Sequence, residues 1–237
     1  NRIVRPHVAF VSLATTTLFV ASLLIATNSM LNRAVRLYAQ AIPPDQLPRV
    51  QASDISYLGT FTVPTTGSNN EPLTYGGTAL GFNPPNGTNG PRGSLFFGCH
   101  DWYQKLAEVQ IPSFGQTATI LQPCVDITDG TLGTIGDGPQ KLGGSLAHNG
   151  RLITTAYVYY DANYSQTLSH GATPTLNFSS SFTGFQPPEG PPRSVGGYMA
   201  HVPVVWRALF GAPALTGQAA TSVIGASGSD GPSAYTF

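Results

Sequence analysis

From Ile55 onward apolar and polar side chains alternate with a period of two over short runs, each ended by a cluster of Gly, Pro, Asn or Asp. "ISYLGTFTVP" predicts a strand stopped by Pro64, because proline cannot donate to a ladder. Four more strands are predicted over Gly77 to Phe82, Ser94 to Cys99, Lys105 to Ile111 and Thr117 to Pro123. The separators "NPPNGTNGPRG", "HDWYQ" and "PSFG" supply the residues that turns require. Antiparallel strands in that order make one meander sheet.

A weaker copy follows in "KLGGSLAHNGRLITTAYVYYDANYSQTLSHG". A short strand reaches Asn149-Gly150, a strong hairpin signal, and a long β-branched and aromatic strand leaves it over Arg151 to Tyr160. "GPSAYTF" at the chain end looks like a third start beside "YGGTALGFN" and "LGGSLAHNG". Repeated four-stranded sheets of this size predict an all-β, β-propeller-like fold. The second copy is interrupted over about 171–217. There, "TPTLNFSSSFTGFQPPEGPPRS" predicts a surface loop and "VGGYMAHVP" a strand. "PVVWRALFGAP" predicts a short helix from Pro203 to a stop at Gly211, with Trp206, Leu209 and Phe210 on its buried side.

Before Ile55 the pattern is different. Arg2 and Arg5 precede Val8 to Ala26, a mostly apolar run without charge, which predicts an N-terminal hydrophobic helix acting as a secretory signal or a membrane anchor. Ala39-Gln40-Ala41 offers a small-residue cleavage site, although a dozen residues and two arginines separate it from the run. Residues 1–41 are therefore signal or anchor, 42–54 a Pro-rich linker and 55–237 the β domain, which is exported to the periplasm or the outside under either reading. Asn1 in place of Met, and a terminal Phe237 inside the third start, predict a chain that continues at both ends.

Composition agrees with this layout. With 27 Gly and 20 Pro and only 9% charged residues in 237, the chain is rich in turns and poor in long helices. The formal charge is zero, but every acidic residue lies beyond residue 41, so the β domain is mildly acidic and nucleic acid is excluded as a partner. Membrane contact is expected only through the N-terminal segment.

"YGGTALGFNP", "GCHDWYQKLAEVQIP", "VGGYMAHVPVVWRALFGAPALTGQ" and "GPSAYTF" together resemble a group of uncharacterised exported bacterial proteins of β-propeller-like fold. The resemblance runs from about Tyr57 to the chain end. It implies a fold and a compartment, and transfers no catalytic residue.

Chemistry is expected on one mouth of the assembly. The turn between the second and third strands places His100, Asp101, Trp102 and Tyr103 beside Thr74 and Tyr75, and the equivalent turn of the second copy adds Asp161, Asn163 and Tyr164. Rings mixed with Asp, Asn and His suit a carbohydrate or small polar ligand, since sugar C–H faces stack on rings and hydroxyls need donors and acceptors. A binding or scaffold module, with carbohydrate or another envelope protein as partner, is the first reading. A polysaccharide hydrolase or lyase using His100 and Asp101 is the second, and a membrane-tethered envelope protein the third. Structural turn roles for the same residues stand beside all of these. His148, His170 and His201 are expected to be structural or solvated, and Asp126, Asp129 and Asp137 solvated. No cofactor or metal motif is present.

Cys99 and Cys124 can form a disulfide in an exported chain. Against it, they end two strands with a third between them, about 10 Å apart at regular strand spacing and beyond the usual reach of a bridge.

Overall fold

The computed structural model describes residues 48–77, 79–218 and 234–237, without the side chains of 193 and 194. The predicted N-terminal helix and cleavage site lie outside the described residues. These fall into two compact units, a small one of 48–55 with Val204–Leu209 and a large one of Ser56–Pro203 with Phe210–Phe237. The small unit holds one 3-10 turn, Ala52–Asp54, whose Asp54 carboxylate accepts the Gln51 N–H at 2.8 Å, and a second, Val204–Trp206.

The large unit is all-β, with short helical turns. Its first sheet comprises β1 (Leu80–Asn83), β2 (Ser94–Gly98), β3 (Leu106–Gln110) and β4 (Ile120–Val125), antiparallel in chain order. "ISYLGTFTVP" departs from expectation. It makes no strand, only a parallel bridge from Thr62 to Thr117 along the β4 edge, with Thr62 N–H donating to Gln116 at 2.9 Å. β4 tolerates Pro123 because it is an edge strand, where a missing N–H leaves no partner unpaired.

Both faces of this sheet are covered. Phe96 and Leu106 pack on one face with Ala79, Ile127, Leu142, Leu152 and Phe178. Leu73, Cys99, Ala107 and Cys124 pack on the other, flanked by Val63, Phe97 and Ile120. Each fully buried Phe or Leu contributes on the order of 2 kcal/mol. β3 is consequently buried from Leu106 through Val109, with no solvent face of the kind its alternation suggests.

The disulfide exists: Cys99 and Cys124 are bonded, with Cα atoms 6.2 Å apart. The spacing argument against it fails because it assumed a regular ladder. From Leu106 to Glu108 on β3 the pairing moves from Val125 to Gln122 on β4, so three steps of β4 span two of β3. Such a bulge bends its strand, and only the small, buried Ala107 lies between the two sulfurs' strands.

The second sheet has β5 (Gln140–His148), β6 (Arg151–Val158) and β7 (His170–Thr173). Its hairpin turns at Asn149 (φ 50°) and Gly150 (φ 75°), two left-handed residues as a type I′ turn needs. The third sheet orders β10 (Ala234–Thr236), β9 (Ala214–Gly217) and β8 (Met199–His201). Here the reading of the sequence is corrected twice. The interruption over 171–217 contributes strands to a sheet of its own, and "AYT" of the expected third start pairs with β9 on that sheet. Among the described residues only the first sheet has four strands, and the sheets do not close into a ring.

The Gly-Gly signals have a packing cause. A Cβ on Gly76 would collide with the Gly98 carbonyl, and one on Gly143 with the Gly196 carbonyl, so glycine lets backbones cross closely. Within the predicted loop 173–194, residues 174–191 have no strand, but buried Phe178 and Phe185 anchor them. The predicted helix near Trp206 is a 3-10 turn followed by one α turn, Arg207–Phe210. Single turns of different pitch cannot hold a continuous apolar stripe, and Leu209 and Phe210 are 57% and 43% exposed instead of buried.

Candidate functional site

The turn joining β2 to β3 is closed by Cys99 N–H to Lys105 O at 2.9 Å and Tyr103 N–H to His100 O at 3.0 Å. Asp101 N–H donates to Tyr75 O at 2.9 Å and His100 N–H to Pro72 O at 3.1 Å, which bring the approach to β1 alongside. Tyr75 (φ 52°) and Gln104 (φ 49°) both sit in the left-handed region, where bulky side chains are uncommon and the backbone is strained. The result is a cluster of rings. His100 lies 5.8 Å from Tyr75, 5.9 Å from Trp102 and 5.4 Å from Tyr103, centroid to centroid. Tyr75 and Trp102 are each 83% exposed. Nδ1 of His100 accepts the Trp102 N–H at 3.2 Å, so Nε2 carries the proton of the neutral ring.

Asp101 has a different task. Its carboxylate forms an ion pair with Lys141 of β5 and accepts from Gln104 Nε2 at 3.2 Å, while Gln104 Oε1 accepts the Leu142 N–H at 2.7 Å. The turn is thus clamped to the start of β5, and the imidazole of His100 has no hydrogen bond to that carboxylate among the described residues.

The equivalent turn of the second sheet flanks the same end of β5, since Lys141 pairs in register with Tyr157 near the end of β6. Asp161 is buried there and acts as a cap, Oδ1 accepting Ser165 N–H at 2.6 Å and Ser165 Oγ–H at 2.7 Å, Oδ2 accepting Gln166 N–H at 3.1 Å. Three of the carboxylate's roughly four acceptor positions are thus filled by the turn itself, whereas Asn163 and Tyr164 are exposed and Tyr164 is left-handed at φ 56°. The aromatic and amide residues of the two turns therefore face solvent, and the two aspartates hold the turns together.

At the opposite end of the first sheet is a cleft of about 560 Å³ that the alternation of the sequence does not reveal. Glu108 lines it and is only 6% exposed. Its Oε1 accepts from Asn83 Nδ2 at 3.0 Å and from Ser94 Oγ, and its Oε2 from Gln122 Nε2 at 2.6 Å. Asn89 Nδ2 donates in turn to Ser94 Oγ at 3.2 Å, and Phe178 N–H to Gln122 Oε1 at 2.9 Å. All three contacts to Glu108 are donated to it, the pattern of a carboxylate. The register shifts of β3 and β4 fall on both sides of Glu108, which aims it inward.

A second cavity, about 610 Å³, is lined by His170, Thr216, Tyr235 and Phe237 among others. Thr216 Oγ donates to Val195 O at 2.6 Å, so it accepts from His170 Nε2 at 3.2 Å, and Nδ1 accepts from Ser169 Oγ at 2.8 Å. Both nitrogens are used by a neutral ring, and burial lowers the pKa from 6.5 to about 4. His148 and His201 stack at 5.3 Å. Asp126 and Asp129 are exposed, as expected, and also anchor turns: Asp126 accepts Thr128 and Gly130 N–H at 2.8 and 2.9 Å, and Asp129 accepts Phe182 N–H at 2.7 Å.

Glu108, Gln122 and the environment of His170 are what the sequence reading missed. The available signal for Glu108 was its isolation, one charge inside "LAEVQI", which alternation assigns to a wet face. No protein-family model matches this chain, and no curated protein or solved structure matches it either.

Proposed function

We propose that this chain is an exported binding module, its sheets units of a β-propeller-like assembly, which holds a carbohydrate on the aromatic turn between β2 and β3. The observation that carries this reading is the set of rings around His100. Tyr75 and Trp102 each expose 83% of their surface, Tyr75 on a left-handed, hydrogen-bonded backbone. Two large rings gathered around one imidazole keep most of their surface open to solvent, and stacking against a sugar C–H face gives them a use. Asn163 and Tyr164 on the equivalent turn supply donors and acceptors for hydroxyls. The acid–base alternative has less support, because the carboxylate of Asp101 is committed to Lys141 and Gln104.

A glycan array probed with the exported chain tests the reading. Retention of a defined glycan, weakened about tenfold by W102A as the loss of one stacking contact implies, is expected. Retention unchanged in W102A and Y75A, or no glycan retained at all, removes the proposal.

A further inference from the structure

The carboxylate of Glu108 is buried, and among the described residues it has no cationic partner. The ion pairs among the described residues, Lys105 with Glu71 and Lys141 with Asp101, lie elsewhere. A buried charge without a counter-charge is costly even when hydrogen-bonded, so its retention beside an open cleft needs a reason.

The geometry of the donors narrows that reason. A carboxylate offers about four acceptor positions. Asn83 and Ser94 take two on Oε1 and Gln122 one on Oε2, which leaves one acceptor position of Oε2 for an occupant of the cleft. A metal ion would need several oxygens directed at one point. Here the opposite is arranged: Asn83 and Gln122 turn their NH2 ends toward Glu108, and the oxygen of Gln122 is held by the Phe178 N–H. What fits one open acceptor on a buried anion is an N–H of an organic cation. The rest of the cleft describes the body of that cation. Asn86, Thr88 and Asn177 stand exposed at its rim with amide and hydroxyl groups, and Leu121 and Leu176 give it an apolar wall. A volume of about 560 Å³ is in the range of small-molecule sites.

We propose that the cleft beside Glu108 binds an amino sugar, its ammonium donating to Glu108 and its hydroxyls meeting the rim amides. The site is at the other end of the sheet from the aromatic turn and does not depend on it.

D-Glucosamine and its β-1,4-linked trimer, with the N-acetylated trimer as the neutral counterpart, are titrated into the folded chain while the side-chain amide signals of Gln122 and Asn83 are followed by NMR. The amine-bearing sugars are expected to shift both signals saturably, and the N-acetylated trimer to leave them in place. E108Q is expected to weaken binding roughly tenfold to a hundredfold, the worth of one charge-assisted hydrogen bond. Should E108Q fold poorly, T88W decides. Thr88 is exposed on the rim and does not touch the carboxylate, so a tryptophan there obstructs the cleft and is expected to weaken binding by about tenfold or more. W102A is expected to leave this binding unchanged, which separates a failure here from a failure of the aromatic turn. Equal binding of the N-acetylated trimer, shifts produced by calcium in place of the amine, or no movement of the Gln122 amide would each overturn the proposal.

Discussion

At one end of the first sheet β2 and β3 meet in a turn whose rings point outward and whose backbone is strained at Tyr75 and Gln104. At the other end the same strands turn polar groups inward, onto one buried carboxylate. The first end is held by a covalent bridge between Cys99 and Cys124 and by the Asp101–Lys141 clamp. The second has hydrogen bonds and the packing of Phe178 on Phe96, with no covalent bridge or ion pair among the described residues. What the difference teaches is where each end's stability resides: in cross-links below the rings at the aromatic end, and in the occupant-facing groups themselves at the cleft. Ligand chemistry and fold stability should therefore separate at the turn and coincide at the cleft.

The largest effect expected from that contrast is at Glu108. E108A leaves the Asn83, Ser94 and Gln122 donors without their acceptor, and each unsatisfied donor costs about 1–3 kcal/mol when buried. Water entering from the cleft recovers part of this, so a loss of about 4 kcal/mol is expected in urea unfolding. A loss below about 1 kcal/mol would mean that the network is solvent-borne and that the two ends do not differ in this way.

Next comes the bridge. It closes a loop of 25 residues, for which removal in C99A/C124A is expected to cost about 3.5 kcal/mol. The change should appear equally in oxidised wild type against reduced wild type. Glycan retention at the aromatic turn should survive below the shifted melting point, since no ring is altered. Parallel loss of retention in fully folded reduced protein would show that the bridge sets the rings' geometry, and the separation argued above would fail.

The two ends were unequally legible in the sequence. Turn chemistry in "HDWYQ" and the Asn149-Gly150 pair located strands and hairpins closely, because those residues act through local backbone preference. Glu108 was hidden because its burial comes from the bulge against β4 and from Phe178, a residue 70 positions away in a segment expected to be only a surface loop. The spacing argument against the bridge failed for the same cause, since a register shift is not written in either strand alone. The third sheet was missed because β8, β9 and β10 come from what resembled an insertion and a restart.

Acid sensitivity offers a control on both ends, because it belongs to neither. His170 is neutral when folded and is protonated only at about pH 4, against 6.5 for the unfolded chain. The unfolded chain thus takes up a proton first as pH falls, and stability that is fully present above 6.5 is lost progressively down to about 4. The loss is expected to reach up to about 3 kcal/mol. H170Q should flatten the stability difference between pH 7 and 4 while leaving E108A and C99A/C124A effects additive to it. A pH dependence of the same size in H170Q would move the acid-labile group to one of the ends and undo the comparison.

The smallest expected effect has the opposite sign. Tyr75 holds a left-handed backbone, which costs an L side chain about 1–2 kcal/mol. Its ring is 83% exposed and contributes little burial, with only an edge contact to His100. Y75G relieves the strain but gives the unfolded chain more freedom, which takes back about 0.4–1 kcal/mol. A net stabilisation of about 0.5–1 kcal/mol follows. The same variant is expected to weaken glycan retention about tenfold, since one stacking face is gone. Stabilisation joined to lost retention is what a backbone strained to present a ring must give. Destabilisation would mean that Tyr75 is a packing residue, leaving the aromatic turn, like the cleft before it is occupied, a device for holding strands together.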